Sequence, residues 1–256
     1  MTGPALIPDD EKRGYQIELL IVFSMTLGLS GLRSLVRLVD SLLQPVPLNQ
    51  QSVAINVPQA RADLLDLIAQ LLSVLQLAAW GGIGLYLLWR TGIKLRVVGL
   101  DGTRKLADSL GALGLAAVIG IPGLAFYFAA WALGLNLAVQ PSTLDNEWWM
   151  SVALVLAAAG NAWAEEVLVV GYLITRLEQL GWRKYTALFA AAVLRGSYHL
   201  YQGFGGFVGN LVMGLVFGFY WQRTRRLWPL VIAHTILDVV AFVGYTMLRG
   251  KVSWLP

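Results

Sequence analysis

The chain has 256 residues, 57% of them hydrophobic and 13% charged, with a formal net charge of +4 and no cysteine. Such a balance excludes an ordinary soluble domain and points to a polytopic membrane protein, while the missing cysteine excludes disulfides, thiolate zinc sites and a cysteine nucleophile. Lys and Arg cluster between apolar runs, so the positive charge fits cytoplasmic loops of a multi-pass cell-membrane protein and argues against a nucleic-acid partner.

In chain order, Met1–Gly14 carries Pro4, Pro8 and the mixed-charge patch Asp9–Arg13, and reads as a short polar tail before a single helical domain over 15–256. The apolar segment after it lacks a strongly basic lead and a small-residue cleavage site, and is expected to be a first spanning helix rather than a removed signal peptide. A bilayer core needs about 20 apolar residues per helix. Segments meeting that length, or near it, can be drawn at 15–40, 63–89, 106–135, 147–176, 185–200, 206–222 and 228–248. The expectation is an all-α bundle of about seven transmembrane helices.

Basic residues set the expected orientation. Lys12 and Arg13 precede the first segment, and Arg90, Lys94, Arg96, Arg104 and Lys105 follow the second. Arg176, Arg183 and Lys184 follow the fourth, and Arg223, Arg225 and Arg226 the sixth. The alternate loops Ser41–Ala60, Asn136–Asn146 and Tyr201–Gly205 have no Lys or Arg. The positive-inside rule then puts the N-terminus in the cytoplasm and the C-terminus outside. Arg33 and Arg37 strain this reading, since they would have to snorkel from the outer end of the first helix, and Arg249 and Lys251 would lie outside.

Pro122 is expected to kink the third segment, and Trp148-Trp149 fits an interfacial aromatic belt. Gly205, Gly209, Gly214 and Gly218 offer a small-residue face on the sixth, against which another helix can pack closely. The Pro- and Gln-rich stretch Gln44–Gln59 reads as the only linker-like segment.

Against this apolar background the ionisable residues stand out. Glu165 and Glu166 sit side by side in the fourth segment, and the chain's two histidines, His199 and His234, lie in the fifth and seventh. Arg195 precedes His199 by four residues and Asp238 follows His234 by four, so each pair is expected to share one helical face. Counted at 1.5 Å per residue from the basic flank, Glu165, Glu166, Arg195 and Asp238 fall about 15 Å deep, His199 about 21 Å and His234 about 9 Å. Each group facing lipid alone would be costly, about 2.5–3.5 kcal/mol on insertion scales for a charged one, so convergence on one hydrated pocket is expected. The two glutamates point about 100° apart on an α-helix, so they are expected to serve different roles.

These residues resemble the CPBP family of intramembrane CAAX prenyl-proteases and bacteriocin-processing or immunity-type relatives, whose pattern is EExxxR, then FxxxH, then HxxxN or HxxxD on later helices. Glu165-Glu166, His199 and His234-x-x-x-Asp238 match it, and the likeness covers about 147–247. Two positions depart: Val170 stands where the family has Arg, and Arg195 where it has Phe. A guanidinium moved from the acid helix to its neighbour could still neutralise Glu166, so the two departures read as one change.

The resemblance implies hydrolysis of a peptide bond in a membrane-embedded or membrane-associated peptide or protein. Glu165 would activate water, assisted by His199, and His234 with Asp238 would steady the oxyanion, which makes Glu165, Glu166, His199, His234 and Asp238 the candidate catalytic residues and Arg195 their charge partner. A metal-free glutamate mechanism is preferred; the alternative is a Zn site built from Glu165, His199 and His234. Other readings are a serine enzyme using Ser197, a non-catalytic scaffold or bacteriocin-immunity-type protein keeping the polar network for packing, and a proton-coupled transporter.

Overall fold

The computed structural model describes residues 5–144 and 148–251, so Asp145, Asn146 and Glu147, near the predicted start of the fourth span, lie outside the described residues. The first half comprises α1 (Lys12–Met25), α2 (Leu27–Leu43), a 3-10 turn (Leu48–Gln50), β1 (Ser52–Asn56), α3 (Asp63–Arg90), α4 (Leu95–Val98) and α5 (Lys105–Ala132). After β2 (Ala138–Ser142), a helical rod is made of α6 (Met150–Glu165), a π-helical stretch (Glu166–Ile174) and α7 (Thr175–Gln179). Then come α8 (Lys184–Ser197), a 3-10 turn (Leu200–Gln202), α9 (Phe204–Thr224) and α10 (Trp228–Leu248).

The helical bundle is as expected, with a different span count. Among the described residues five helices are long and apolar enough to cross a membrane, or six if α1 and α2 count together. The predicted first span is bent by 50° between α1 and α2. There the Thr26 hydroxyl donates to the Val22 carbonyl at 2.7 Å and the Thr26 backbone leaves the helical region. Arg33 and Arg37 lie exposed on the bent-away half. The predicted fifth span shrinks to the 14 residues of α8, about 21 Å of helix against a core of about 30 Å. By contrast, α5 runs through Pro122 as one 28-residue helix.

The axis of the bundle is the rod Met150–Gln179. Of its most apolar stretch 61% is buried, against 17–39% for the other spans, as expected of a helix that is apolar on every side. In lipid, apolar surface does not drive helices together; close backbone approach does. The α8–α9 contact is built that way. A Cβ on Gly218 would come within 2.4 Å of Leu188 Cδ1, one on Gly196 within 2.8 Å of the Phe207 carbonyl, and one on Gly214 within 3.0 Å of Ala192 Cα.

The loops that the charge count assigns to one side meet at one end of the bundle. Arg226 Nη1 donates to Asp101 at 2.8 Å and its Nε to Asp108 at 3.0 Å, Arg225 pairs with Glu178 at 2.9 Å, and Trp221 Nε1 reaches the Val98 carbonyl at 3.1 Å. Gly99, at φ +85°, permits this joint, since a Cβ there would lie 2.3 Å from the Arg225 carbonyl. Hydrogen bonds from Thr103 and Arg226 hold the Asp101 carboxyl below the usual carboxylate range, and the bond to Asp108 holds Arg226 above its ordinary value. The expected N-terminal tail is anchored here by Ile7, which is buried and donates its N–H to the Gln179 carbonyl at 3.0 Å.

The opposite end carries the stretch whose composition predicts a linker. Within Gln44–Gln59, β1 forms a parallel two-stranded sheet with β2 in the register Ser52↔Ala138, Val53↔Val139, Ala54↔Gln140 and Asn56↔Ser142. The residues before β2 bind the start of α9: Leu137 N–H donates to the Gln202 carbonyl at 3.0 Å and Phe204 N–H to the Leu135 carbonyl at 2.9 Å. The Trp148-Trp149 pair is split, with Trp148 85% exposed and Trp149 4% exposed in a cluster with Leu154 and Phe242. Only Trp148 suits a belt.

Candidate active site

Three elements bring polar side chains to one point inside the bundle. Glu165 is the last residue of α6 and Glu166 the first of the π-helical stretch, where i→i+5 hydrogen bonding widens the turn, a device frequent at functional sites. Both are buried, at 3% and 0% exposure. The cation beside them is Arg195, at 0% exposure, near the end of α8.

Arg195 Nη2 lies 2.6 Å from Glu166 Oε1 and 3.3 Å from Glu165 Oε2. One guanidinium thus answers both glutamates from the neighbouring helix. Val170 itself is 2% exposed in the main apolar cluster. Gly214 makes room for the Arg195 stem, since a Cβ there would come within 3.1 Å of Arg195 Cδ, and the guanidinium carbon stands 5.5 Å from the centre of the Phe217 ring.

His234, on α10, turns Nδ1 to Glu166 Oε1 at 2.8 Å, with Arg195 Nη2 at 3.1 Å from the same nitrogen. Its Nε2 lies 3.6 Å from Asp238 Oδ2, so the predicted shared face of His234 and Asp238 exists. The companion expectation for Arg195 and His199 fails, because α8 stops at Ser197 and His199 follows in a turn closed by its N–H on the Gly196 carbonyl at 3.0 Å. Both nevertheless reach Glu165. His199 Nε2 stands 3.9 Å from Glu165 Oε1, outside hydrogen-bond range, and Gln202 Nε2 lies 3.4 Å from its Nδ1.

Two further side chains, not singled out by their sequence pattern, join the site. The Tyr198 hydroxyl donates to Glu165 Oε2 at 2.8 Å, and Asn161 Nδ2 donates to Asp238 Oδ2 at 3.0 Å. Asn161 lies one helical turn before Glu165, and its amide in an apolar segment was a usable signal. Tyr198 was harder to see, since tyrosine beside histidine has ordinary packing roles. Ser197 spends its hydroxyl on the Leu194 carbonyl at 2.6 Å, as a helix-terminal serine does.

The sequence-derived metal alternative requires Glu165, His199 and His234 as one ligand set. Among the described residues no group of three or more His, Asp or Glu side chains is placed to hold a metal ion. Glu165 and His199 face each other, whereas His234 is turned by Nδ1 towards Glu166.

No curated protein and no solved structure matches the chain. Residues 147–240 match the family model described as type II CAAX prenyl endopeptidase Rce1-like. That interval contains Glu165, Glu166, Arg195, His199, His234 and Asp238, and also Asn161 and Tyr198. The segment that builds the buried polar centre of this multi-pass membrane protein is therefore the part of the chain that is similar to the Rce1-like family.

Proposed function

We propose that the chain is an intramembrane endopeptidase in which Glu165 is the general base. The observation that carries this reading is the unequal use of the two Glu165 oxygens. Oε2 is taken by Tyr198 at 2.8 Å with Arg195 at 3.3 Å, while Oε1 faces His199 Nε2 across 3.9 Å. That gap is too long for a direct hydrogen bond and suits two groups that share one water.

In the proposed reaction a water between them gives a proton to Glu165 Oε1 as its oxygen bonds to the scissile carbonyl carbon. The carbonyl electron pair moves to oxygen, and His234, held through Nδ1 by Glu166, donates from Nε2 to the developing charge, since Nε2 lies 3.6 Å from Asp238 and is not hydrogen-bonded to it. As the C–N bond breaks, the proton held by Glu165 passes to the leaving amine. Water is consumed and one acid and one amine result. Arg195, Glu166, Tyr198 and Asn161 act as positioning residues that fix Glu165, His234 and Asp238.

The test is cleavage of membrane peptides by the reconstituted full chain. Glu165→Gln keeps size and hydrogen bonding and removes the base, so cleavage is lost while thermal unfolding stays close to wild type. Full activity in that variant would remove the proposed base, and a membrane scaffold would tolerate the change without loss of its partner. Cleavage that survives exhaustive chelation is expected for a glutamate mechanism, and loss of activity restored by added Zn would support the metal alternative.

A further inference from the structure

A cleft of about 450 Å³ opens at the basic end of the bundle, between the start of α1 and the end of α3, well within the size range of small-ligand sites. It lies apart from the buried polar centre. Asp10 and Glu11 line it from the approach to α1, and Arg90 lines it from the last turn of α3. Among the described residues these three charges make no side-chain hydrogen bond or ion pair. Acids ahead of one helix and a cation at the end of another suit the helix dipoles, but this does not explain why both signs converge, unpaired, on one cavity.

Other lining groups are already committed. Glu18 Oε1 accepts from Tyr172 at 2.8 Å and from Arg176 at 2.9 Å, and the Arg176 guanidinium stands 4.8 Å over the Tyr15 ring. Unpaired carboxylates and an unpaired guanidinium around one cavity are complementary to a zwitterion with an ammonium at one end and a phosphate at the other.

The surroundings tell a soluble zwitterion from a lipid. Gly14 lines the cleft, and Ile17 and Ile21 continue its stripe along α1; Leu87 lines it from α3, with Ile83 one turn behind. Ile17, Ile21 and Ile83 are exposed on helices that run into the apolar part of the bundle. Trp89, exposed beside Arg90, fits the membrane boundary. We propose that the cleft binds the headgroup of a phospholipid carrying a primary ammonium, as in phosphatidylethanolamine. Arg90 holds the phosphate, Asp10 and Glu11 accept from the ammonium N–H groups, and the acyl chains lie along the two apolar stripes.

Gly14 supplies the decisive variant. Gly14 lines the cleft and a Cβ there meets nothing within 4 Å, so Gly14→Leu adds a side chain at the cleft wall without touching backbone, and it improves helix propensity. The full chain, purified in detergent and stripped of lipid, is titrated by native mass spectrometry with dioleoyl phosphatidylethanolamine, phosphatidylcholine and phosphatidylglycerol, and with glycerophosphoethanolamine alone. Phosphatidylethanolamine should bind about tenfold more tightly than phosphatidylcholine, which offers no ammonium N–H, since one charge-assisted hydrogen bond carries about that factor. Gly14→Leu should remove that preference with its melting temperature maintained, and Arg90→Gln and the double variant Asp10→Asn/Glu11→Gln should each weaken binding about tenfold. Equal binding of the three lipids, or full phosphatidylethanolamine binding by Gly14→Leu, would reduce the cleft to ordinary lipid contact and overturn the proposal. Glycerophosphoethanolamine binding as tightly as the lipid would overturn the lipid assignment in favour of a soluble ligand. The readout contains no cleavage step, so the endopeptidase reading and this one can fail separately.

Discussion

Replacing Arg195 by Met tests the centre of the molecule with little change in packing. Methionine is unbranched and can follow the Arg195 stem past Gly214 and Phe217, so the loss is chiefly the guanidinium. That guanidinium lies 2.6 Å from Glu166 and 3.3 Å from Glu165, in surroundings where Arg195 and Glu166 are both 0% exposed. Removing one partner of such a pair strands buried charge and costs about 3–5 kcal/mol. At about 2–4 °C per kcal/mol for a chain of this size, the melting temperature should fall by about 6–20 °C. The ten tryptophans provide the signal for thermal unfolding of the detergent-purified full chain. Glu166→Gln alone should also destabilise, and the double variant Arg195→Met/Glu166→Gln should recover a substantial part of the summed loss, because each substitution removes the charge the other had stranded. A single variant that melts within about 2 °C of wild type, well under the shift expected for a broken buried pair, or a strictly additive double, would show that Arg195 does not neutralise the glutamates.

Other expectations are as concrete. Tyr198→Phe removes the donor on Glu165 Oε2; a hydrogen bond to a charged group contributes about 1.5–3 kcal/mol, so kcat for a cleaved membrane peptide should drop by roughly 10- to 150-fold with KM little changed. A kcat within twofold of wild type would leave that oxygen unassigned. Gly214→Val presses on Ala192 and on Arg195 Cδ and should destabilise by about 1–3 kcal/mol, whereas Gly209→Ala, whose Cβ would sit 3.7 Å from Phe126, should be nearly neutral in the same unfolding assay. At the basic end, the depressed Asp101 carboxyl contributes stability that is fully present above its unfolded value of about 4 and is lost as pH falls towards the folded value. The melting difference between wild type and Asp101→Asn should therefore be constant from about pH 5 to neutrality and shrink below pH 4. A difference that does not change with pH would refute that role.

The site was legible because bilayer-depth carboxylates and imidazoles are rare in an apolar chain, and the rise per residue alone put Glu165, Arg195 and Asp238 at a common level. The match of Arg195 to Glu166 was legible for the same reason: a buried carboxylate in an apolar bundle needs a cation, and Arg195 is the one counted to its depth. Helix ends were not. Predicted segment 185–200 includes His199, but α8 yields to a turn at Tyr198, and the imidazole is placed by main-chain hydrogen bonds rather than by helical periodicity. The π-helical stretch was also invisible, since Glu166–Ile174 has an apolar pattern that an α-helix would carry equally well. So was the β1–β2 pair, whose partners lie 86 residues apart at Ser52 and Ala138 and whose proline- and glutamine-rich approach read as a linker.

The short bridge between Leu135–Leu137 and Gln202–Phe204 gives His199 an unusual dependence. Glu165 is rooted in the deepest rod of the bundle, yet the imidazole opposite it is tethered three residues from a clamp at the bundle's sheet-bearing end, reinforced by Asn136 Oδ1 accepting from the Gly206 N–H at 3.0 Å. A disturbance arriving at that end, through the sheet or through anything resting on it, would shift one half of the proposed catalytic pair while the other stayed still. The 3.9 Å gap thus has one wall in the rod and the other in a turn strung between the end of α8 and that clamp.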